Sequence, residues 1–286
     1  MISSWLRPLV FLIVCTATSL FSADKPLVLV SVAPYKYLVE RIAGDTVSVG
    51  LLVPPAANVH TYEPSMKQVL ASGKADMWFR IGESFEPRVI KAITAYNQTL
   101  ALVDLRQGLN LIEGEGCGCH EGCCHPEGKD LHFWLSARLM KAQAKTVADA
   151  LIKRYPANAA QYQKALNEHL AELSSLDQEL EGILQPVHGK TVLVTHPAYA
   201  YLCRDYDLYQ LSVETEGKDP SSKKLTAILN KAEALKVKTI FTQTQYSDKA
   251  AKIIAQRLGA SLVLLDPYAE DYMTNLVMIS KNFARP

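Results

Sequence analysis

Two groups of residues in this 286-residue chain have the types and spacing to hold a metal ion. The first is dense: Cys117, Cys119, His120, Cys123, Cys124 and His125 place six sulfur or imidazole donors within nine residues. Thiolate and imidazole prefer Zn²⁺ or Cu⁺ to hard cations such as Mg²⁺, Ca²⁺ or Mn²⁺. The same tract can instead form a disulfide-linked loop, with Cys123 or Cys124 paired to Cys117 or Cys119 in an oxidising compartment. The second group, His60, His132, His196 and Asp266, is scattered, and only the secondary structure makes it a group. Each residue follows a predicted strand or the loop after it, and in open parallel sheets ligands bind beyond the carboxyl ends of strands. Three imidazoles and one carboxylate suit a divalent ion, most naturally zinc, at ~2.0–2.2 Å.

The elements that must position these residues follow from periodicity. Apolar runs at Leu27–Ala33, Val47–Val53, Met77–Ile81 and Leu100–Leu105 read as strands, with helices at Tyr35–Ala43, Ser65–Ser72 and Pro87–Tyr96 between them. Continuous Val/Leu runs separated by helices indicate parallel sheets covered on both faces. Two long helices follow without a strand between them. Ser136–Tyr155 is capped by Ser136 and stopped by Pro156; Asn158–Leu184 is opened by Asn158 and closed by Pro186. The second shows one apolar stripe, Tyr162, Leu166, Leu170, Leu173, Leu176, Leu180 and Ile183. His169 lies beside Glu168 and Glu172 and reads as a solvated helix residue, and His188 reads as part of a turn. The alternation resumes with strands at Thr191–Thr195, Leu208–Val213, Thr239–Thr242 and Leu262–Leu265 and helices at Ser221–Leu235, Lys249–Leu258 and Asp271–Phe283. The expected fold is α/β, with two parallel-sheet lobes joined by a long rigid bridging helix at 158–184. The N-terminal lobe is 24–135 with the Cys/His loop at 114–129, a helical segment is 136–184, and the C-terminal lobe is 185–286. No internal sequence repeat stands out.

Composition narrows the function classes. A 49% hydrophobic and 21% charged chain is globular. A net charge of +1 excludes a large basic face for nucleic acid. Residues 1–23 have the form of an export signal: Arg7, an apolar run from Leu9, then small residues up to Ala23. Cys15 offers a lipoprotein anchor, although Val14 occupies a position where such sites use a small residue. Removal of the signal takes Arg7 and Cys15 and leaves five cysteines, an odd number that cannot all pair within one chain. Cys203 reads as a buried apolar residue. No Gly-x-Ser-x-Gly elbow, His-Glu-x-x-His pair or phosphate loop is present. Glu63 and Glu214 are candidate bases only by residue type, and a full set of four protein ligands favours holding a metal over using it.

The motifs His60-Thr61-Tyr62-Glu63-Pro64-Ser65, Asp130-Leu131-His132-Phe133-Trp134-Leu135-Ser136, Thr195-His196-Pro197-Ala198-Tyr199-Ala200-Tyr201, Gly217-Lys218-Asp219-Pro220-Ser221 and Leu265-Asp266-Pro267 occur in this order. With them the mature chain resembles the periplasmic metal-binding components of zinc and manganese ABC importers, most of all the high-affinity zinc-uptake proteins. The resemblance implies two Rossmann-like lobes bridged by a rigid helix, with one metal between them. It carries ligand roles onto His60, His132, His196 and Asp266. It also implies a monomer that serves an ABC transporter membrane permease, binds no nucleic acid and works in the periplasm. His at 196, where manganese-selective relatives tend to carry a carboxylate, favours Zn²⁺ as the transported ligand over Mn²⁺. The Cys/His tract occupies the place where zinc relatives insert a His-rich loop. Asn58-Val59 replaces the Asp-Pro that often precedes the first ligand. The expected function is zinc capture and delivery. A manganese or iron importer subunit is the alternative, and an exported zinc hydrolase the alternative from another class.

Overall fold

The computed structural model describes residues 25–113, 128–214 and 219–285. The export signal and Cys15, and the whole Cys/His tract, lie outside the described residues.

Among the described residues, eight four-residue strands form two parallel sheets. In the N-terminal lobe, β1 (Leu27–Val30), β2 (Ser48–Leu51), β3 (Met77–Arg80) and β4 (Ala101–Asp104) are ordered β2-β1-β3-β4. In the C-terminal lobe, β5 (Thr191–Val194), β6 (Tyr209–Ser212), β7 (Thr239–Thr242) and β8 (Ser261–Leu264) are ordered β6-β5-β7-β8. The lobes therefore share one topology that the sequence does not advertise. Six of these strands are shorter than their apolar runs; β7 coincides with its run, and β8 begins one residue before its own. The first run stops at Val30 because Ala33-Pro34 opens helix α1 (Ala33–Ala43), where proline's missing N–H costs nothing.

Helices α2 (Met66–Ser72) and α3 (Glu86–Thr94) cross between strands of the first lobe. Ser65 and Gln68 close a capping box at the start of α2. Helix α4 (Ala137–Arg154) is capped by Ser136, whose Oγ accepts from the Leu139 N–H at 2.9 Å. Helix α5 (Ala159–Leu184) is the long link, about 39 Å at ~1.5 Å per residue. Asn158 does not cap it as expected: its side chain donates to the Tyr162 hydroxyl at 3.1 Å instead. The second lobe adds α6 (Ala200–Asp205), absent from the sequence expectation, then α7 (Ser222–Ala234), α8 (Lys249–Leu258) and α9 (Tyr272–Phe283). Helix α5 packs on α1 and α4 from one side and α9 from the other. One apolar core continues from Val28 through Trp134 and Leu173 to Phe283, so it belongs to both lobes; a smaller cluster around Ile240 and Ile254 serves the C-terminal lobe alone. Cys203 is buried in the shared core. Among the described residues, no helix is long and apolar enough to cross a membrane.

His169 corrects the sequence expectation. It is fully buried on the inner face of α5, its ring 5.7 Å from Tyr37, with Nδ1 3.0 Å from Glu172 Oε2. Its Nε2 has no hydrogen-bond partner among the described residues. Burial holds its pKa below the ordinary value, against the opposing pull of Glu172 and with Arg41 adding to the depression. Because the unfolded histidine titrates near ~6.5, the unfolded chain takes up more protons below that pH. The stability associated with neutral His169 is present above ~6.5 and is lost as pH falls through the folded value. The difference in unfolding free energy between wild type and His169→Gln should therefore narrow between pH 7.5 and 5.5. Urea titrations at the two pH values check this; a constant difference would show that His169 titrates alike in the folded and unfolded chain.

Candidate metal centre

Each candidate histidine is presented by a short segment beyond a strand. His60 lies in a 3₁₀ turn, Val59–Thr61, after β2, and Asn58 Oδ1 accepts its backbone N–H at 3.0 Å. His132 follows the long connection after β4 and leads into the 3₁₀ turn Phe133–Leu135. His196 lies two residues beyond β5. The three side chains come from both lobes and are nearly buried, 8%, 1% and 3% exposed. Their ring centroids form an almost equilateral triangle with sides of 5.2, 5.0 and 5.0 Å.

The nitrogens are sorted by role. His196 Nε2 lies 3.2 Å from His60 Nε2 and 3.2 Å from His132 Nε2. Tetrahedral zinc with Zn–N of ~2.0–2.1 Å needs ligand edges of about 3.3 Å, so the spacing fits that ion. The Nδ1 atoms face carboxylates: His60 meets Glu83 Oε2 at 3.3 Å, His132 meets Asp130 Oδ1 at 2.8 Å, and His196 meets Glu214 Oε1. An ionised carboxylate accepts the Nδ1 hydrogen and leaves the Nε2 lone pair for a metal, which also fixes ring orientation. Asp130 grips twice, since Oδ1 also accepts the His132 N–H at 2.8 Å.

The carboxylates are built in. Glu83 follows β3 in a turn held by Glu86, whose carboxylate accepts the Ile81 N–H at 2.9 Å, the Gly82 N–H at 2.8 Å and the Ser31 hydroxyl at 2.6 Å. Gly82 has φ +94°, a conformation that favours glycine, and a Cβ there would lie 2.5 Å from the Arg106 guanidinium, which would have to swing aside. Burial raises the Glu86 and Glu214 pKa values to about 7 each. Burial opposes protonation of His60, but Glu83, Asp130 and Glu214 outweigh it and raise the His60 pKa. The pull of Glu83, Asp130 and Glu214 on His60 is carboxylate charge beside the rings, which a dication at the centre would offset.

Two tyrosines complete the surroundings. The Tyr246 ring lies flat on His196 at 3.9 Å and 8°, and the Tyr268 hydroxyl lies 3.3 Å from His132 Nε2. A surface cleft of about 210 Å³, lined by Tyr62, Glu63, Ser84 and Arg88 among others, reaches His60.

Asp266 stands apart from the histidine cluster, whose ligand atoms all lie within 4.8 Å of one another. Its Oδ1 accepts the Tyr268 N–H at 2.9 Å and the Gln245 side chain at 3.1 Å. Glu63 pairs with Arg88 at 3.2 Å on the surface, and Glu214 lies behind the His196 ring rather than among the Nε2 atoms. Sequence reasoning gave no role to Glu83, Asp130, Tyr246 or Tyr268, and considered Glu214 only as a base. The signal was available, because Glu83, Glu214, Tyr246 and Tyr268 follow β3, β6, β7 and β8 as the histidines follow theirs.

The family model for ZnuA, the periplasmic component A of zinc-uptake complexes, matches residues 28–285. A metal-binding protein of Chlamydia muridarum is 34% identical over 258 residues, covering 90% of each chain. The high-affinity zinc uptake system protein ZnuA of Bacillus subtilis is 28% identical over 250 residues, covering 85% of this chain and 78% of that one. Among solved structures, a crystal structure of ZnuA superposes with a TM-score of 0.84 at 38% identity, covering 91% of this chain and 98% of that chain. Two parallel-sheet lobes, a long linking helix and three converging imidazoles agree with this likeness, and the chain belongs to the ZnuA family of periplasmic zinc-uptake components.

Proposed function

We propose that the protein captures Zn²⁺ outside the cytoplasm and hands it to an ABC transporter permease, with no chemistry performed on the ion. The observation that supports this best is the convergence of three imidazoles, with His196 Nε2 3.2 Å from the Nε2 of each of the other two and every Nδ1 engaged by a carboxylate. In the tautomers these carboxylates select, three lone pairs face one another with no hydrogen between them, an arrangement that a cation stabilises. His60, His132 and His196 bind the ion. Asp266 supplies the fourth donor once its side chain leaves Gln245 and the Tyr268 N–H. An all-imidazole cluster suits zinc better than manganese, which favours carboxylate and water oxygens.

The tract Cys117, Cys119, His120, Cys123, Cys124 and His125 serves as an accessory collector. The described residues on either side of it are joined: Glu113 and Lys129 form a β-bridge and an ion pair, and the Asp130 N–H donates to the Ile112 carbonyl at 2.9 Å. These flanking residues lead directly to Asp130, the residue that grips His132.

Cells deprived of the protein should lose high-affinity zinc uptake and keep manganese uptake, and expression of the chain should restore the former. Restoration of manganese uptake instead would decide for the alternative importer.

A further inference from the structure

Tyr268 meets one of the three inward-facing nitrogens. Its hydroxyl lies 3.3 Å from His132 Nε2, and its ring lies 5.3 Å from Trp134. Asp130 takes the His132 Nδ1 hydrogen, so Nε2 carries a single in-plane lone pair and the phenol is the donor. A phenol titrates at ~10, so it keeps its hydrogen at neutral pH. One lone pair cannot accept that hydrogen and bind a metal at the same time.

The turn that carries Tyr268 is pinned at two points that do not involve the Asp266 side chain. Trp134 Nε1 donates to the Pro267 carbonyl at 2.8 Å, and Asn275 Nδ2 donates to the Asp266 carbonyl at 2.8 Å. Movement of the hydroxyl away from His132 is therefore a side-chain rotation rather than a backbone shift. A second partner is at hand. The Tyr246 hydroxyl neighbours that of Tyr268 closely enough to hydrogen-bond with it.

We propose that Tyr268 is a latch on His132: its hydroxyl caps the Nε2 lone pair before metal arrives, is displaced toward Tyr246 on binding, and reclaims the nitrogen as metal leaves. Tyr268 is thus a positioning residue that lowers zinc affinity and eases release of the cargo. The inference rests on the reading of the three histidines as zinc ligands.

The test uses Tyr268→Phe in the full mature chain, with zinc competition against a chromophoric chelator. A net hydrogen bond is worth ~0.5–1.5 kcal/mol, so its loss should tighten zinc binding about two- to tenfold and slow release to the chelator. Imidazole ¹⁵N NMR without metal should move His132 Nε2 from a hydrogen-bonded acceptor position in wild type toward that of an uncapped lone pair in the variant. Unchanged or weaker zinc binding by Tyr268→Phe would overturn the latch. If the variant does not fold, an uncapped Nε2 signal in the wild type overturns it instead, and a capped signal upholds it. Wild-type titration tests the underlying reading separately: without tight one-to-one zinc binding the metal site itself fails.

Discussion

Replacing His60 and His196 together with alanine is expected to abolish tight one-to-one zinc binding while leaving the protein folded. Zinc in fully ligated protein sites binds with ~10–16 kcal/mol. Shared over four donors, that is about 2.5–4 kcal/mol per ligand, so each histidine carries on the order of 10²-fold in affinity and the pair on the order of 10⁴-fold or more. The two residues come from different lobes, and their Nε2 atoms lie 3.2 Å apart, so no single neighbour replaces both. Both lie in loops beyond the strands, which spares the apolar core. Glu83→Gln is expected to act more gently, by about 10–100-fold, because the amide can still touch His60 Nδ1 but no longer holds the charge that orients it. Isothermal titration of metal-free protein checks the series. Tight one-to-one binding that survives in the double variant would move the site elsewhere, the Cys/His tract being the first place to look. Asp266→Asn belongs in the same experiment: a loss comparable to that of one histidine supports a fourth ligand, and an unchanged affinity supports three.

The fold was legible where burial leaves a strong trace. A parallel strand covered on both faces reads as an uninterrupted Val/Leu run, and each such run, Leu27 to Val30 or Thr191 to Val194, contains a strand. Helix starts were legible where one side chain decides them, as at Ser65, Ser136 and Ser221. Asn158 misled because the Tyr162 hydroxyl competes for its amide, a partner that exists only after α5 has formed. His169 misled for a different reason. Its spacing from Leu166 and Leu173 puts it on the buried stripe, but its type and the adjacent Glu168 suggested solvent; here position outweighs residue type. At the site, the strand-end rule located the residues whose side chains converge on one point. It was applied to ligand types alone, so the carboxylates behind each ring were passed over. Where Asp266 points depends on Gln245 and on the N–H of Tyr268, contacts set by tertiary packing with no periodic signature.

The second large effect is expected at Trp134, which has no exposed surface and joins the site to both lobes. Its indole N–H donates to the Pro267 carbonyl at 2.8 Å, and its own carbonyl accepts the Tyr272 hydroxyl at 2.8 Å. Its ring lies between Tyr35 of the first lobe, at 6.3 Å, and Tyr268 of the second, at 5.3 Å. Trp134→Ala should cost about 3–5 kcal/mol through the cavity it leaves, and Trp134→Phe about 1–3 kcal/mol through the stranded Pro267 carbonyl. The manner of the loss tells more than its size. If the lobes were separate bodies on a hinge, removing Trp134 would split urea unfolding into two transitions. The core that runs from Val28 to Phe283 is shared, so a single transition at lower urea is expected in both variants. Zinc at ~100 times its dissociation constant should then restore up to about 2.7 kcal/mol, reduced by whatever zinc the Cys/His tract holds in the unfolded chain. Far-ultraviolet circular dichroism with and without zinc reads all three quantities. A shared core also limits how the cargo leaves: opening the lobes would expose apolar surface at about 25 cal/mol per Å², whereas moving the strand-end loops and the phenol of Tyr268 exposes little. Release by local rearrangement is therefore the cheaper route, and hydrogen exchange should report zinc-dependent protection in the loops around His60, His196 and Tyr268 rather than along α5.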